Sequence, residues 1–530
     1  MTKLLRRGEF FLAGLRPYLL ILIIGLLLYS GTVFFGLSYL DDNILILDNY
    51  GFISKLSNII EAFKQDVFHI LHEYDASYRP LLTASFMIDT QLDKLFGLGY
   101  HFTNILLHLI QSCLVFLFFL KLKYSRSLAF SFALIFTVHP ALTATVAWIP
   151  GRNDSLMGIF ALVSFIYFME FMERARWKDY AGHMLFFILA LFTKEAALGL
   201  LVAIAFYCYF VFRRMPVTRE VKALACGWVF ALALWLIPRG YALSHNPVTV
   251  PIITALRDIA ASTPALLVYA GKAVFPFDLS IIPTIEDSAV MPSVAAILIA
   301  GTSLHFSKNK RIGYILFGIV WFLSFLVPTF IRPVTGASAI FLESRLYLPI
   351  LGVFIILGEI DVIKNITLKD ARALFLVLAA AGTLFYMSLN YSGHFRDVVS
   401  FWEYAAERSP HSPLAQANLG WVYDNELRSD EAEDRFKRAL ALNPLQRYAH
   451  NSLGCIYEKK GLTEKAEAEY LMEIKITPYY DKARVNLANL YFRQGKEARA
   501  AELWEEALRI NPENIYVRKM LADYGKSKKE

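Results

Sequence analysis

Residues 17–43 read PYLLILIIGLLLYSGTVFFGLSYLDDN. From Pro17 to Leu37 the run is apolar and uncharged, long enough for a helix to cross the roughly 30 Å hydrocarbon layer of a bilayer, and it ends on Leu40-Asp41-Asp42-Asn43. Lys3, Arg6, Arg7 and Arg16 precede it. No small-residue cleavage site accompanies the run, so it is expected to remain as a signal anchor with the N-terminus in the cytoplasm. A first span of this kind delivers two adjacent carboxylates to the far membrane surface.

The same composition continues beyond it. The chain of 530 residues is 56% apolar and only 19% charged, with a mean hydropathy of +0.44, which is the balance of a protein dissolved largely in lipid. Further apolar runs near 102–120, 128–147, 155–171, 181–192, 196–212, 223–238, 290–305, 312–330, 346–360 and 373–390 bring the expected number of spans to about eleven. Residues 262–275 are apolar but short and stop at Pro276, which reads as a re-entrant or interfacial segment. With the N-terminus in the cytoplasm, the groups Lys121/Lys123/Arg126, Arg174/Arg176/Lys178, Arg213/Arg214/Arg219/Lys222, Lys308/Lys310/Arg311 and Lys364/Lys369/Arg372 all fall on that side. An odd number of spans then carries 39–101, the end of the third span from about 139 to 154, 240–289, 331–344 and the whole C-terminal domain to the opposite side.

The formal charge of +7 is spread through these small groups with no extended basic face, so no nucleic-acid partner is expected. Cys113, Cys208, Cys226 and Cys455 lack metal-ligand spacing and read as packing residues. There is no phosphate-binding glycine loop or nucleophile elbow, which leaves a nucleotide-driven engine unsupported.

After Pro410 the composition changes to Glu, Lys, Arg and Ala, and a period emerges. Pro410, Pro444, Pro478 and Pro512 are spaced by the 34 residues of a tetratricopeptide repeat. Leu419/Leu453/Leu487, Gly420/Gly454/Ala488, Tyr423/Tyr457/Tyr491, Ala432/Ala466/Ala500 and Phe436/Tyr470/Trp504 keep the same register. Small residues let two antiparallel helices pack closely, aromatics fill the gap between successive hairpins, and such stacks present a surface to an extended partner. Structural scaffolding is the plainer use of the same architecture.

On the side opposite the basic groups stand Asp41-Asp42, Tyr78-Arg79-Pro80, His139-Pro140, Gly151-Arg152-Asn153-Asp154, Lys194-Glu195, Arg239 and Glu343-Ser344-Arg345. Two adjacent carboxylates can simply be solvated or cap the next helix. Lys194-Glu195 can be a mutually neutralising pair fixing a hairpin, but ionisable groups so close to hydrocarbon are functional candidates. Arg79, Arg152 and Arg345 run against the topological bias, which an anion on that side would explain. His101 and His108, seven residues apart on one helical face, read as packed histidines rather than metal ligands.

Leu40-Asp41-Asp42-Asn43, Tyr78-Arg79-Pro80-Leu81, His101-Phe102-Thr103-Asn104-Ile105-Leu106-Leu107-His108, Val138-His139-Pro140, Gly151-Arg152-Asn153-Asp154, Lys194-Glu195 and Glu343-Ser344-Arg345-Leu346-Tyr347-Leu348-Pro349 follow one another in family order. With the repeats, they resemble the transmembrane and tetratricopeptide-repeat O-mannosyltransferases, relatives of the GT-C glycosyltransferases. The resemblance implies an all-α fold: a polytopic membrane domain over 1–391 with an outer acidic loop at 39–101, a linker or first helix at 392–410, and three repeats with a capping helix over 411–530. It implies transfer of a sugar, expected to be mannose, from a polyprenyl-phosphate carrier to Ser or Thr hydroxyls of extracytoplasmic proteins, with inversion.

Such a transfer needs a base for the hydroxyl, cations for the departing phosphate and a carboxylate near an oxocarbenium-like centre. The resemblance assigns Asp41 as the catalytic carboxylate with Asp42 beside it. Arg79, Arg152, Lys194 and Arg345 are the expected phosphate holders, and His139, Asp154, Glu195 and Glu343 support them. No metal ligand is assigned and no cofactor is fixed, although a divalent metal is left open. The expected partners are the lipid-linked sugar, membrane lipids and a protein acceptor in the repeat groove. Three repeats are fewer than eukaryotic members carry, which favours a bacterial inner-membrane protein. All candidate site residues precede Tyr391, so the repeats are expected to hold the acceptor without taking part in the chemistry. Two other readings stay open: an oligosaccharyltransferase with a lipid-pyrophosphate donor and a metal, and a silent membrane scaffold presenting the repeats.

Overall fold

The computed structural model describes residues 12–71, 77–93, 97–212, 218–244, 251–331 and 341–527, which are helical with no strand among them. Lys3, Arg6, Arg7, Arg213 and Arg214 lie outside the described residues. Among the described residues, seven helices are long and apolar enough to cross a membrane: Arg16–Phe34, Leu98–Lys121, Ile149–Arg174, Glu195–Phe212, Arg219–Ala242, Ile312–Phe330 and Ala371–Phe395. Two further apolar pairs are bent, Arg126–Thr137 with Pro140–Ala147 by 55° and Ile252–Ala261 with Thr263–Val274 by 48°. Pro140 and Pro264 sit in the first turn of the second helix of each pair, where a missing N–H is tolerated but continuation of the preceding helix is not. The second pair contains the segment read as re-entrant.

All eleven predicted apolar segments contain helix, but not all are full spans. Over 346–360 the regular helix is Ile350–Leu357, eight residues and so about 12 Å long, too short for the bilayer core. Its residues from Ile350 to Ile355 are buried within the protein instead. It crosses Ile312–Leu326 at a pair of glycines, Gly318 and Gly352, where a Cβ on either would fall against the other's carbonyl oxygen. Small residues at such a crossing let helix backbones touch.

The bundle has two chemically distinct ends. At one, Lys121, Arg174 and Arg176 gather on Glu170, and Arg311 and Lys364 on Glu359; these are members of the predicted cytoplasmic groups. At the other end lie the turn 36–42, Arg79, Lys194, Glu343 and the approach to the repeats. Residues 43–71 and 77–93 fold there into helices over a core of Leu45, Ile46, Ile53, Phe86 and Met87. Val398–Arg408 leads into three helix pairs, Pro413–Asn425 with Ser429–Leu442, Ala449–Lys459 with Thr463–Ile476, and Asp481–Arg493 with Glu497–Ile510, closed by Ile515–Ser527. The 34-residue register is steric: a Cβ on Gly454 would stand 2.7 Å from the Tyr470 ring, and where Trp504 replaces that tyrosine an alanine, Ala488, takes the glycine position. Both are fully buried.

Candidate functional site

The turn between the first span and the next helix is held in an uncommon backbone conformation. Tyr39 and Asp41 have φ of 60° and 70°, the left-handed region, which costs a residue with a Cβ roughly 1–2 kcal/mol. Asp42 supplies part of the compensation. Its Oδ2 accepts from Ser38 N (2.7 Å) and Ser38 Oγ (2.9 Å), and its Oδ1 from Asn43 N (3.0 Å). It is 1% exposed, and burial pushes its pKa up to about 6 against the pull of those donors. Asp42 thus closes the turn and caps Asn43–Asp48. Asp41 is half-buried, and its main-chain carbonyl accepts from Leu45 N at 2.8 Å. Two indoles complete the frame: Trp148 Nε1 donates to the Leu40 carbonyl (2.8 Å) and Trp402 Nε1 to the Ser38 carbonyl (3.0 Å).

A second group forms where Arg152–Arg174 begins and Trp177–Thr193 ends. Lys194 Nζ bonds Asp154 Oδ1 at 2.5 Å, with both residues buried. Glu195 stands between Arg79 (3.8 Å) and Arg239 (3.4 Å). Asn153 accepts from Arg79 Nη1 and donates to the Thr193 carbonyl, both at 3.0 Å, in the amide orientation that satisfies both atoms. Burial pushes the Lys194 ammonium below its ordinary pKa; Asp154 opposes this, and the Arg79 and Arg345 charges add to it. Arg79 and Arg239 flank Glu195 and Lys194 pairs with Asp154, with the Arg345 charge close enough to act on Lys194. Arginine and lysine side chains gathered in this way can hold an anion.

Glu343 joins the two groups. It is buried against Lys272 (2.6 Å), Ser280 N (3.1 Å) and Tyr391 Oη (3.2 Å), and burial raises its pKa. With Ser344, the neighbour of Arg345, it lines a small pocket shared with Leu40, the neighbour of Asp41, and with Trp148 and Phe401.

Arg152 stands apart from these cations. It is fully buried, ion-paired to Asp89 at 2.5 Å, and donates to Asn104 Oδ1 (2.8 Å) and the Tyr100 carbonyl (2.7 Å). Its charge is consumed in tying the 80–93 helix to the bundle. His139 is also buried, at the break between Thr137 and Pro140, with Nδ1 unpartnered. His108 is a packed residue, between Tyr347 Oη (2.9 Å) and the Thr137 carbonyl (3.0 Å). Among the described residues no three or more His, Cys, Asp or Glu side chains group as metal ligands.

Sequence reading did not place Lys272, Asp89, Trp148 or Trp402. Lys272 left a signal, a cation inside the apolar segment 262–275. The other three are visible only once the chain has folded.

Residues 418–481 and 481–514 match family models of the tetratricopeptide repeat. A protein O-mannosyl-transferase of Caenorhabditis elegans is 24% identical over 452 residues, covering 81% of this chain and 63% of that protein. Protein O-mannosyl-transferase Tmtc1 of Drosophila melanogaster is 28% identical over 40% of this chain and 25% of its own length. Human protein O-mannosyl-transferase TMTC2 is 30% identical over 38% of this chain and 25% of its own. The chain is related to the TMTC-like protein O-mannosyl-transferases. It spans under two thirds of the length of the worm relative. Both the apolar helical domain and the repeats fit a TMTC-like membrane protein.

Proposed function

We propose that this chain is a membrane O-mannosyltransferase that moves a mannosyl group from a polyprenyl-phosphate carrier to a Ser or Thr hydroxyl of an extracytoplasmic protein, with inversion. The observation that carries the reading is the small pocket in which Glu343 and Ser344, next to Arg345, meet Leu40, next to Asp41 on its strained turn. Asp41 takes the hydroxyl proton as the hydroxyl oxygen bonds the anomeric carbon. The bond from that carbon to the carrier phosphate breaks on the opposite face, and its electron pair leaves on the phosphate oxygen. Arg79, Lys194, Arg239 and Arg345 stabilise that developing charge. A carboxylate near the anomeric carbon also favours its transient positive charge.

Asp154 and Glu195 keep these cations oriented, and Glu343 fixes the loop that carries Arg345. Arg152, spent on Asp89, supports the wall rather than the phosphate, and Asp42 supports the turn rather than acting as a second base. The repeats hold the acceptor polypeptide. In the proposed orientation this end of the bundle lies outside the cytoplasm, and the basic groups collected at the other end support that reading.

The test is mass spectrometry of envelope or secretory proteins from cells that carry the chain, cells that lack it and cells carrying Asp41→Asn. Hexose on Ser or Thr of the same peptides should be present only in the first. Identical glycopeptides in all three would refute the proposal.

A further inference from the structure

We propose that the helix Val398–Arg408 and the first repeat helix are working parts of the acidic turn, with Trp402 and Trp421 as positioning residues for Asp41. The inference rests on the transferase reading only in naming Asp41 as the group positioned; the seating itself rests on contacts.

Residues 36–42 are held by side chains, from within by Asp42 on Ser38 and otherwise from outside. Gly36 N donates to the Arg396 carbonyl at 2.8 Å, and the Ser38 carbonyl accepts from Trp402 Nε1 at 3.0 Å. Tyr39 lays its ring against Trp421 of the first repeat, with centroids 5.3 Å apart. Trp402 is fully buried. Three of the four residues from Gly36 to Tyr39 are therefore fixed by the segment that runs into the repeats. The next, Leu40, is fixed by Trp148 of the membrane domain. Of the two left-handed residues, Tyr39 is itself one of these anchored positions and Asp41 directly follows Leu40; their conformation persists only where surroundings over-determine it.

The anchoring helix is itself fastened to the membrane domain. Arg408 pairs with Asp278 (2.8 Å), Tyr404 Oη donates to the Leu279 carbonyl (2.9 Å), and the Ser409 and Ser280 hydroxyls meet at 2.8 Å. His411 Nδ1 and its main-chain N reach the Asp287 carboxylate at 2.6 and 3.0 Å. Ser280 N continues the chain of contacts to Glu343. A shift of the first repeat is thereby passed to residues 36–42, whereas Arg79, Lys194 and Arg239 have their partners, Asp154 and Glu195, inside the membrane domain. Withdrawing the indole should alter catalytic turnover and leave donor binding intact.

The experiment uses the full chain in nanodiscs. Trp402→Phe removes the N–H while keeping an aromatic ring; Trp421→Ala, at a partly exposed position, removes the ring on Tyr39; Tyr39→Phe retains that ring and serves as the conservative control. Hydrogen exchange of peptides spanning 36–45 should quicken about tenfold in Trp402→Phe and measurably in Trp421→Ala, with peptides spanning 463–510 unchanged. With polyprenyl-phosphate mannose as donor, kcat should fall at least tenfold in Trp402→Phe while donor KM stays within twofold, and Tyr39→Phe should match wild type. Unaltered exchange at 36–45 in both tryptophan variants, or a change confined to donor KM, would overturn the proposal. If the wild type transfers nothing while 36–45 still loosens, the seating stands and the transferase reading fails.

Discussion

Asp41 and Asp42 are neighbours in sequence with different surroundings. The oxygens of Asp42 are committed to Ser38 and Asn43, whereas Asp41 sits on the strained side of the turn. Replacing Asp41 by Asn should lower transfer by roughly 10² to 10⁴ while the protein stays folded; undiminished turnover of the purified variant would move the base elsewhere. For Asp42, burial holds the folded pKa near 6, above its ordinary value. Such a group binds extra protons when folded, so its contribution to stability is full below about pH 4 and is lost as pH rises through 6. Measured against Asp42→Asn, the thermal stability of the wild type should decline between those limits and level off above them. A difference that does not vary with pH would contradict the burial argument. The dipeptide was legible in sequence as a candidate, but the division of labour within it was not, since that depends on which carboxylate the turn buries. Arg152 shows the same limit: it is a conspicuous cation in a family-like motif, yet Asp89, far away in sequence, neutralises it. Asp89→Ala should strand that buried charge and cost on the order of 3–5 kcal/mol, read as a lower unfolding temperature in detergent.

Helical elements were legible where periodicity or long apolar runs dictated them. The 34-residue register anticipated each repeat pair because it is enforced by contacts such as Gly454 against Tyr470. The run 346–360 was less legible, because apolarity says that a segment avoids water and not whether lipid or protein replaces it. Ile350–Leu357 is apolar all round and buried by protein. Gly318 and Gly352 are what let it approach the neighbouring helix. Gly352→Val should therefore destabilise the solubilised protein by about 1–3 kcal/mol through overpacking, and an unaltered melting temperature would show that the crossing has slack.

At the level of the whole molecule, composition and repeats revealed two bodies but nothing about how they meet. The expectation that the repeats stand apart from the chemistry followed from site residues all preceding Tyr391. The structure rests Tyr39 on Trp421 of the first repeat and Ser38 on Trp402 of the helix before it, contacts across more than 360 positions that no local pattern announces. The charge segregation between the two ends of the bundle was legible, and it underlies the proposed orientation. A reporter active only in the cytoplasm, fused after Glu530, should remain silent. The most direct test of the central claim is label transfer by the purified full chain in proteoliposomes, supplied with polyprenyl-phosphate mannose labelled in the sugar and a Ser/Thr-bearing acceptor protein. Label should appear on acceptor hydroxyls with wild type and fall about 10²-fold or more with folded Asp41→Asn; no transfer by the wild type, or equal transfer by the variant, would contradict the transferase assignment.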